Sequence, residues 1–374
     1  MSNITLSAGV RANLLSLQDT AANFAVTQNR LATGKKVNSA LDNPVNYFTA
    51  ATLQSRAGEL SNLLDAMTNG INTIKAASNG LDSITQTVQS MQATVTQARQ
   101  DASWQSTSYT FSVAATGKTI GFAGGSTGST TAITVSLDTG GLIDTVDQAV
   151  SAINANTSLT GKIKASNDAG TLRIQNLSTS ALTVTGGASG VVDGSTSTDS
   201  IGGNTVRNNL VVQFNLLRDQ LDKTAADSSF NGVNLLQGDA LKLFFNELST
   251  SSITVQSTNT AGINNTVLGV TAGTAAEFQT NTQLDTRLQS LHNALTQVAS
   301  QASAFGSNLS IVQNRQNFTT QMINTLQTGA DGLTLADTNL EGANMLALQT
   351  RQQLSITALS IASQQQSAVM RLFG

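Results

Sequence analysis

The stretch Ile4 to Thr33, ITLSAGVRANLLSLQDTAANFAVTQNRLAT, decides the fold. Val10, Leu14, Leu17, Ala21, Phe24 and Leu31 recur at alternating spacings of four and three, with only Gln28 polar on that line. This heptad spacing predicts one long helix whose apolar seam needs a partner helix. The matching segment is the opposite terminus. There, Leu354, Ala358, Ile361, Ala368 and Leu372 form one stripe, and Leu359, Ala362, Val369 and Phe373 form a second beside it, with Met345 and Leu348 upstream. So broad an apolar arc exceeds what one partner covers. The plain expectation is a buried helix of a bundle. The sharper one is a helix that grips the N-terminal arm with one side and neighbouring copies with the other.

Between these ends the chain reads as rod, insert and rod. Gly34, Lys35 and Lys36 after Thr33 predict a left-handed C-cap with favourable charge at a helix end, and Asn43 and Pro44 predict the N-cap and first position of the next helix. Its seam runs through Leu53, Ala57, Leu60, Leu64, Met67, Ile71 and Ile74, changes phase near Gly80, and continues through Leu81, Ile84, Val88, Met91, Val95 and Ala98. Such a helix has about 55 residues and is about 80 Å long at 1.5 Å per residue. From Trp104 the composition turns to Gly, Ser and Thr. Tyr109, Phe111 and Val113, then Ile133, Val135 and Leu137, alternate as strands. Gly124–Gly125, Gly140–Gly141 and Gly186–Gly187 predict turns, and Val146, Val150 and Ile153 one short helix.

Helical spacing returns at Val206, Leu210, Phe214, Leu217 and Leu221. A region of β character with alternating Ile253 and Val255 and a turn at Asn265 follows Phe230 to Gly232 and extends to about Gly273. A third long seam contains Leu284, Leu288, Leu291, Leu295, Val298, Ala302, Phe305, Leu309, Val312, Ile323 and Leu326 and is expected to stop at Gly329. The last helix is expected to start near Thr338, with Glu341 completing a capping box.

The expected fold class is mainly α with β: an antiparallel long-helix coiled-coil or bundle rod with a β hairpin, paired terminal helices, and an inserted, mostly β outer module. The expected division is 1–33 (arm), 34–103 (rod), 104–203 (insert), 204–330 (rod) and 331–374 (arm). The breaks at Gly34 and Gly329 predict a chain that goes out and returns.

Composition narrows the function. Hydrophobic residues make up 39% of 374, but aromatics only 4% and charged residues 11%, so the core must be aliphatic and the polar surface mostly neutral. Surfaces with few charges to desolvate suit packing against identical copies. A net charge of −3 with no Lys/Arg cluster argues against nucleic acid. The absence of cysteine excludes disulfides, thiol catalysis and thiolate metal sites. No segment reads as a membrane span, and no basic region precedes an apolar stretch at the N-terminus, so any exit from the cell is expected to bypass the general secretory route.

No catalytic, metal or cofactor set is found. Gly117, Lys118 and Thr119 lack the glycine of a phosphate loop, since Ser112 occupies its place. His292 is the only histidine, which also rules out a zinc-protease motif, and it reads as a solvated helix position. Asp144 with Asp147, and Asp219 with Asp222, read as solvated helix faces rather than acid/base pairs. The Ser/Thr-rich insert permits O-glycosylation.

Several segments resemble bacterial flagellin. Leu31, Gly34, Lys35, Lys36, Val37, Asn38 and Ser39 are similar to the family's linker between its first two helices; Phe230 to Leu236 to its turn into the rod hairpin; and Gln313, Asn314 and Arg315 to a motif of its returning rod helix. The resemblance covers roughly 1–100 and 205–374. It implies a secreted subunit that polymerises with identical copies into the extracellular flagellar filament of motile bacteria. It further implies type III export, a dedicated secretion chaperone, and cap and hook-junction partners. The other readings are a hook–filament junction protein and a secreted coiled-coil effector or adhesin. Two departures stand out: the insert precedes the Phe230 turn, and Ser90, Gln92 and Ala93 replace the arginines and glutamate that family members use against a Toll-like receptor. Purified monomer is therefore expected to activate receptor reporter cells weakly or not at all; a response equal to that of a stimulatory flagellin would refute this.

Overall fold

The computed structural model describes residues 8–111, 119–127, 129, 131–136, 145–188, 191–192 and 196–373. In chain order the elements are α1 (Ala8–Thr33), α2 (Pro44–Gln100), β1 (Gln105–Phe111), β2 (Thr119–Gly124), β3 (Ile133–Ser136), α3 (Val146–Ala155), β4 (Ile163–Asp168), β5 (Thr171–Asn176), β6 (Leu182–Thr185), β7 (Gly187–Ala188), β8 (Val191–Val192), β9 (Thr198–Ile201), α4 (Thr205–Asp227), β10 (Leu241–Phe244), β11 (Ser252–Val255), α5 (Asn281–Thr334) and α6 (Thr338–Phe373). The strand positions Val113 and Leu137, the turn Gly140–Gly141 and the start at Ile4 lie outside the described residues.

The chain forms two compact units. The first takes α1, α2 up to Thr68, the hairpin tip Phe244–Ser252, α5 from Gln313 onward, and α6. In it α2 packs on α5 through Ala57, Leu60, Ile323 and Leu326. Gly34 adopts the left-handed conformation expected of it, with φ of 66°. The links between helices meet there: Lys35 and Leu335 form an antiparallel bridge, the Lys36 and Val37 amides donate to the Thr334 carbonyl, and the Ala336 amide donates to the Gly34 carbonyl.

That arrangement explains why α5 does not stop at Gly329. Its carbonyls at Gly332 and Thr334 are capped by Lys36 and Val37, so the helix runs five residues further, through both glycines. The Thr338–Glu341 capping box is also replaced. Asp337 caps α6 by accepting from the Asn339 and Leu340 amides, while Glu341 turns to Arg30. At the α2 start the expectation holds, because Asn43 Oδ1 accepts from the Asn46 amide ahead of Pro44. Between these caps, Asp42 accepts from the Asn38 and Ser39 amides and the Ser39 hydroxyl, and the two amides hold its carboxyl below the ordinary value.

The second unit contains the rest of α2, the insert, α4, the 256–280 loops and α5 up to Val312. The α2 seam is buried at Ile71, Ile74, Ala77, Leu81, Ile84, Val88, Met91, Val95 and Ala98. Two successive three-residue steps, ending at Ala77, place the phase change one turn before Gly80. Gly80 has another role: a Cβ there would strike Ser228 and Leu236, so the glycine lets the turn after α4 reach the α2 backbone.

The insert has its own core. One sheet has the order β4-β5-β1-β8-β7, antiparallel except for β1 with β8, and the other is antiparallel with the order β3-β2-β6-β9. Tyr109, Leu172 and Ile174 from the first, Ile120, Phe122 and Val184 from the second, and Ala149 and Ile153 from α3 share one core. A capping box between Thr145 and Gln148 starts α3. Burial and Asp199, which accepts its hydroxyl at 3.0 Å, push the Tyr109 phenol far above its ordinary pKa.

Both connections of the insert meet at Arg207 of α4. Its guanidinium donates to the carbonyls of Asp101, Phe278 and Gln279 and lies 4.4 Å from the centroid of Trp104. Asn204 caps α4 and donates to the Asp101 carboxylate. Burial lowers the Arg207 pKa and Asp101 opposes the shift. Arg207→Ala would leave these carbonyls and Asp101 uncompensated, at a cost of about 3 kcal/mol. Trp104, the only tryptophan, reports the change. The expected outcome is a fluorescence unfolding transition at lower urea concentration; an unmoved transition would remove Arg207 from this role.

Candidate assembly surface

α1 and α6 run antiparallel from the Gly34–Leu335 junction. On α1 the side turned inward carries Val10, Asn13, Leu17, Thr20, Phe24, Thr27 and Arg30. On α6 it carries Glu341, Met345, Leu348, Gln352, Ser355, Leu359 and Ala362. The α6 line keeps alternating steps of four and three throughout, and the α1 line keeps them as far as Thr27 before a second three-residue step to Arg30, the spacing of a two-helix seam. The seam is only partly apolar. Thr20 fits because its hydroxyl donates to the Ser16 carbonyl of its own helix, which takes care of the polar atom inside the seam. Near the junction Arg30 Nη1 lies 3.2 Å from Glu341 Oε1; Glu341 is buried and its Oε2 has no partner among the described residues.

The structure thus divides the residues expected to form the assembly seam. Val10, Leu17 and Phe24 of α1 and Leu359 and Ala362 of α6 turn inward, whereas Leu14, Ala21, Leu31, Leu354, Ala358, Ile361 and Ala368 are exposed. Val369, Leu372 and Phe373 lie on α6, but their side chains are outside the described set. Small polar Asn13, Thr20 and Thr27 take the inward places that the heptad line assigned to Leu14, Ala21 and Gln28. The displaced apolar residues form an outward stripe, joined by residues the sequence reading passed over: Leu15 and Val26 on α1, and Leu340, Leu346 and Ile356 on α6. For Leu15, Leu340, Leu346 and Ile356 the signal was a place one position off a heptad line; Val26 lies two positions from Phe24 and from Gln28 and carried none. Leu41 in the linker before α2, and Val45 and Phe48 at its start, are also exposed.

No chemical site competes with this surface among the described residues. No cluster of His, Asp and Glu is placed to hold a metal, and no helix is long and apolar enough to cross a membrane. His292 is exposed on α5. Ser112, Gly117, Lys118 and Asp144 lie outside the described residues. Asp147 accepts from Asn167. Asp222 is not the solvated carboxylate expected: its oxygens accept from the Asn265 amide at 2.8 Å and from Asn265 Nδ2 at 2.6 Å, tying the 259–270 loop to α4. Ser90 and Ala93 are exposed and Gln92 half-buried on α2.

Residues 9–114 match the bacterial flagellin N-terminal helical region and residues 288–373 the bacterial flagellin C-terminal helical region, together just over half of the chain. Flagellin FljK of Caulobacter vibrioides is 34% identical over 170 residues, 44% of this chain and 59% of the relative. FljM of the same organism is 33% identical over the same shares. The matched segments thus span about three-fifths of the length of these relatives. Flagellin A of Rhizobium meliloti is 25% identical with full coverage of both chains. With both helical regions matched where α1, α2, α5 and α6 lie, this chain belongs to the bacterial flagellin family.

Proposed function

We propose that the chain is the structural subunit of a bacterial flagellar filament, polymerising with identical copies outside the cell to serve motility, and that it performs no catalysis. The observation that carries this reading is the unpaired outward stripe of α1 and α6, with Leu354 at 66% and Ile361 at 53% exposure. Each leucine or isoleucine covered by a neighbour contributes about 1.5–3 kcal/mol. A two-helix arm cannot reach that gain alone, so ordering of the arms is coupled to addition of the subunit at the filament end. Contacts between different surfaces of successive copies do not close on themselves and extend as a helical polymer.

The expected five-part division gives these parts their tasks: arms 1–33 and 331–374 for the filament interior, rod segments 34–103 and 204–330 around them, and the 104–203 insert facing outward. Type III export, a secretion chaperone, and cap and hook-junction proteins complete the proposal, by likeness to the family. Weak Toll-like receptor recognition belongs to it as well, through Ser90, Gln92 and Ala93.

Electron microscopy of the purified chain should show long filaments, and removal of both arms should abolish them; undiminished growth without arms would defeat the reading. Amide exchange should find both arms weakly protected in the monomer and strongly protected in the filament. Strong monomer protection would argue against coupled ordering. The Arg30–Glu341 pair should fix the arm register. Glu341→Arg should weaken assembly by about 1–2 kcal/mol, allowing for solvent around half-exposed Arg30. The double change Arg30→Glu with Glu341→Arg should recover most of that loss in critical concentration; no recovery would deny the pair this part.

A further inference from the structure

The hairpin tip between β10 and β11 is built around one exposed apolar side chain. The Phe245 amide donates to the Ser251 carbonyl and closes the loop. Asn246 spans it, with Oδ1 accepting from the Ser251 amide at 2.9 Å and Nδ2 donating to Thr250 Oγ1 at 2.6 Å. Glu247 accepts from Arg56 Nε of α2 at 3.1 Å, and the Arg315 guanidinium of α5 lies 5.5 Å from the Phe245 ring centroid. Ser249 is held in the left-handed region at φ 54°, a conformation that costs a non-glycine residue on the order of 1 kcal/mol. Leu248, 80% exposed, is left as the apolar residue at the apex. A loop braced against two long helices around one bare leucine has the form of a preorganised anchor, since little freedom remains to be lost on binding.

The chain also carries a receptor of suitable chemistry. Two adjoining hollows of about 520 and 420 Å³ share Ile263 and Val267 in their lining, with Leu236 beneath the larger. Neutral side chains, Asn259, Asn264 and Gln297 among them, form the rim. The one carboxylate there, Asp222, has both oxygens taken by Asn265. The exposed residues that follow Leu248, Ser249 and Thr250, are neutral, and the neighbouring Glu247 carboxylate is already engaged by Arg56, so docking would strip water from few free charges. By contrast, the hollow of about 290 Å³ beside Phe214 is rimmed by the ion-paired Arg287 and Glu277, which a leucine cannot satisfy. Leu248 is solvated in the single chain.

We infer that Leu248 of one subunit seats in the Ile263–Val267 groove of a second copy, a head-to-tail contact that repeats along the polymer. This inference rests on the filament reading, and the wild-type chain in the same assay separates the two failures. Leu248→Asp in the full chain should leave the circular dichroism of the monomer unchanged and raise the critical concentration for polymerisation on the order of tenfold, with Leu248→Ala intermediate. Because the chain has no cysteine, Leu248→Cys and Thr266→Cys made separately and mixed can be oxidised into a disulfide only between copies. The expected product is a crosslinked pair from the mixture that neither variant yields alone. Wild-type filaments accompanied by an unchanged Leu248→Asp critical concentration, or by no mixed crosslink, would overturn the contact and leave the filament reading standing. A wild-type chain that forms no polymer would overturn both.

Discussion

A helix in a two-helix pair can turn only one stripe toward its partner, and both terminal helices here carry more apolar surface than one stripe holds. The pairing of α1 with α6 uses an inward line shared between apolar Val10, Leu17 and Phe24 and polar Asn13, Thr20 and Thr27. The greasier residues are left outside. Reversing that choice would bury more apolar area within one chain. The arm is therefore rooted firmly at the Gly34–Leu335 junction, where backbone hydrogen bonds tie α1, α5 and α6 together, and its far surface stays available.

Scarcity of charge shapes the rest. Two buried arginines, Arg207 and Arg287, serve segments without regular structure. Arg207 gathers carbonyls at Asp101, Phe278 and Gln279, while Arg287 donates to the carbonyls of Thr271 and Ala272 and to Glu277 and lies over Phe214. The planar guanidinium suits this work because it satisfies several acceptors at once and still stacks on a ring. Elsewhere amides do what ion pairs do in more highly charged proteins: Asn265 fastens a loop to Asp222, and Gln301 accepts from the Thr258 amide and hydroxyl.

Much of this was legible in the sequence because long helices advertise themselves through repetition. The α2 and α5 seams, the Asn43–Pro44 start, the left-handed Gly34 and the change of character at Trp104 all follow from local rules. What stayed hidden depends on partners distant in sequence. Nothing local to Gly329 announces that Lys36 and Val37 will cap a helix running past it, and nothing around Thr338 reveals that Glu341 is needed by Arg30. A heptad line likewise does not say which of two adjacent stripes faces inward, since Leu14 and Asn13 differ by one position and the choice belongs to α6. The sheet order of the insert, including the parallel pairing of β1 with β8, rests on nonlocal register in the same way.

The insert leaves and rejoins the helical framework at nearly one point, since Asn204 donates to Asp101 and Arg207 to the Asp101 carbonyl. A loop whose ends are already fastened together costs little more to close as it lengthens, because closure entropy grows only with the logarithm of length. Anything hung from that doorway can therefore grow, shrink or change its amino acids while the framework registers little of the difference. The insert is thereby free to vary on a different schedule from the helices that carry it.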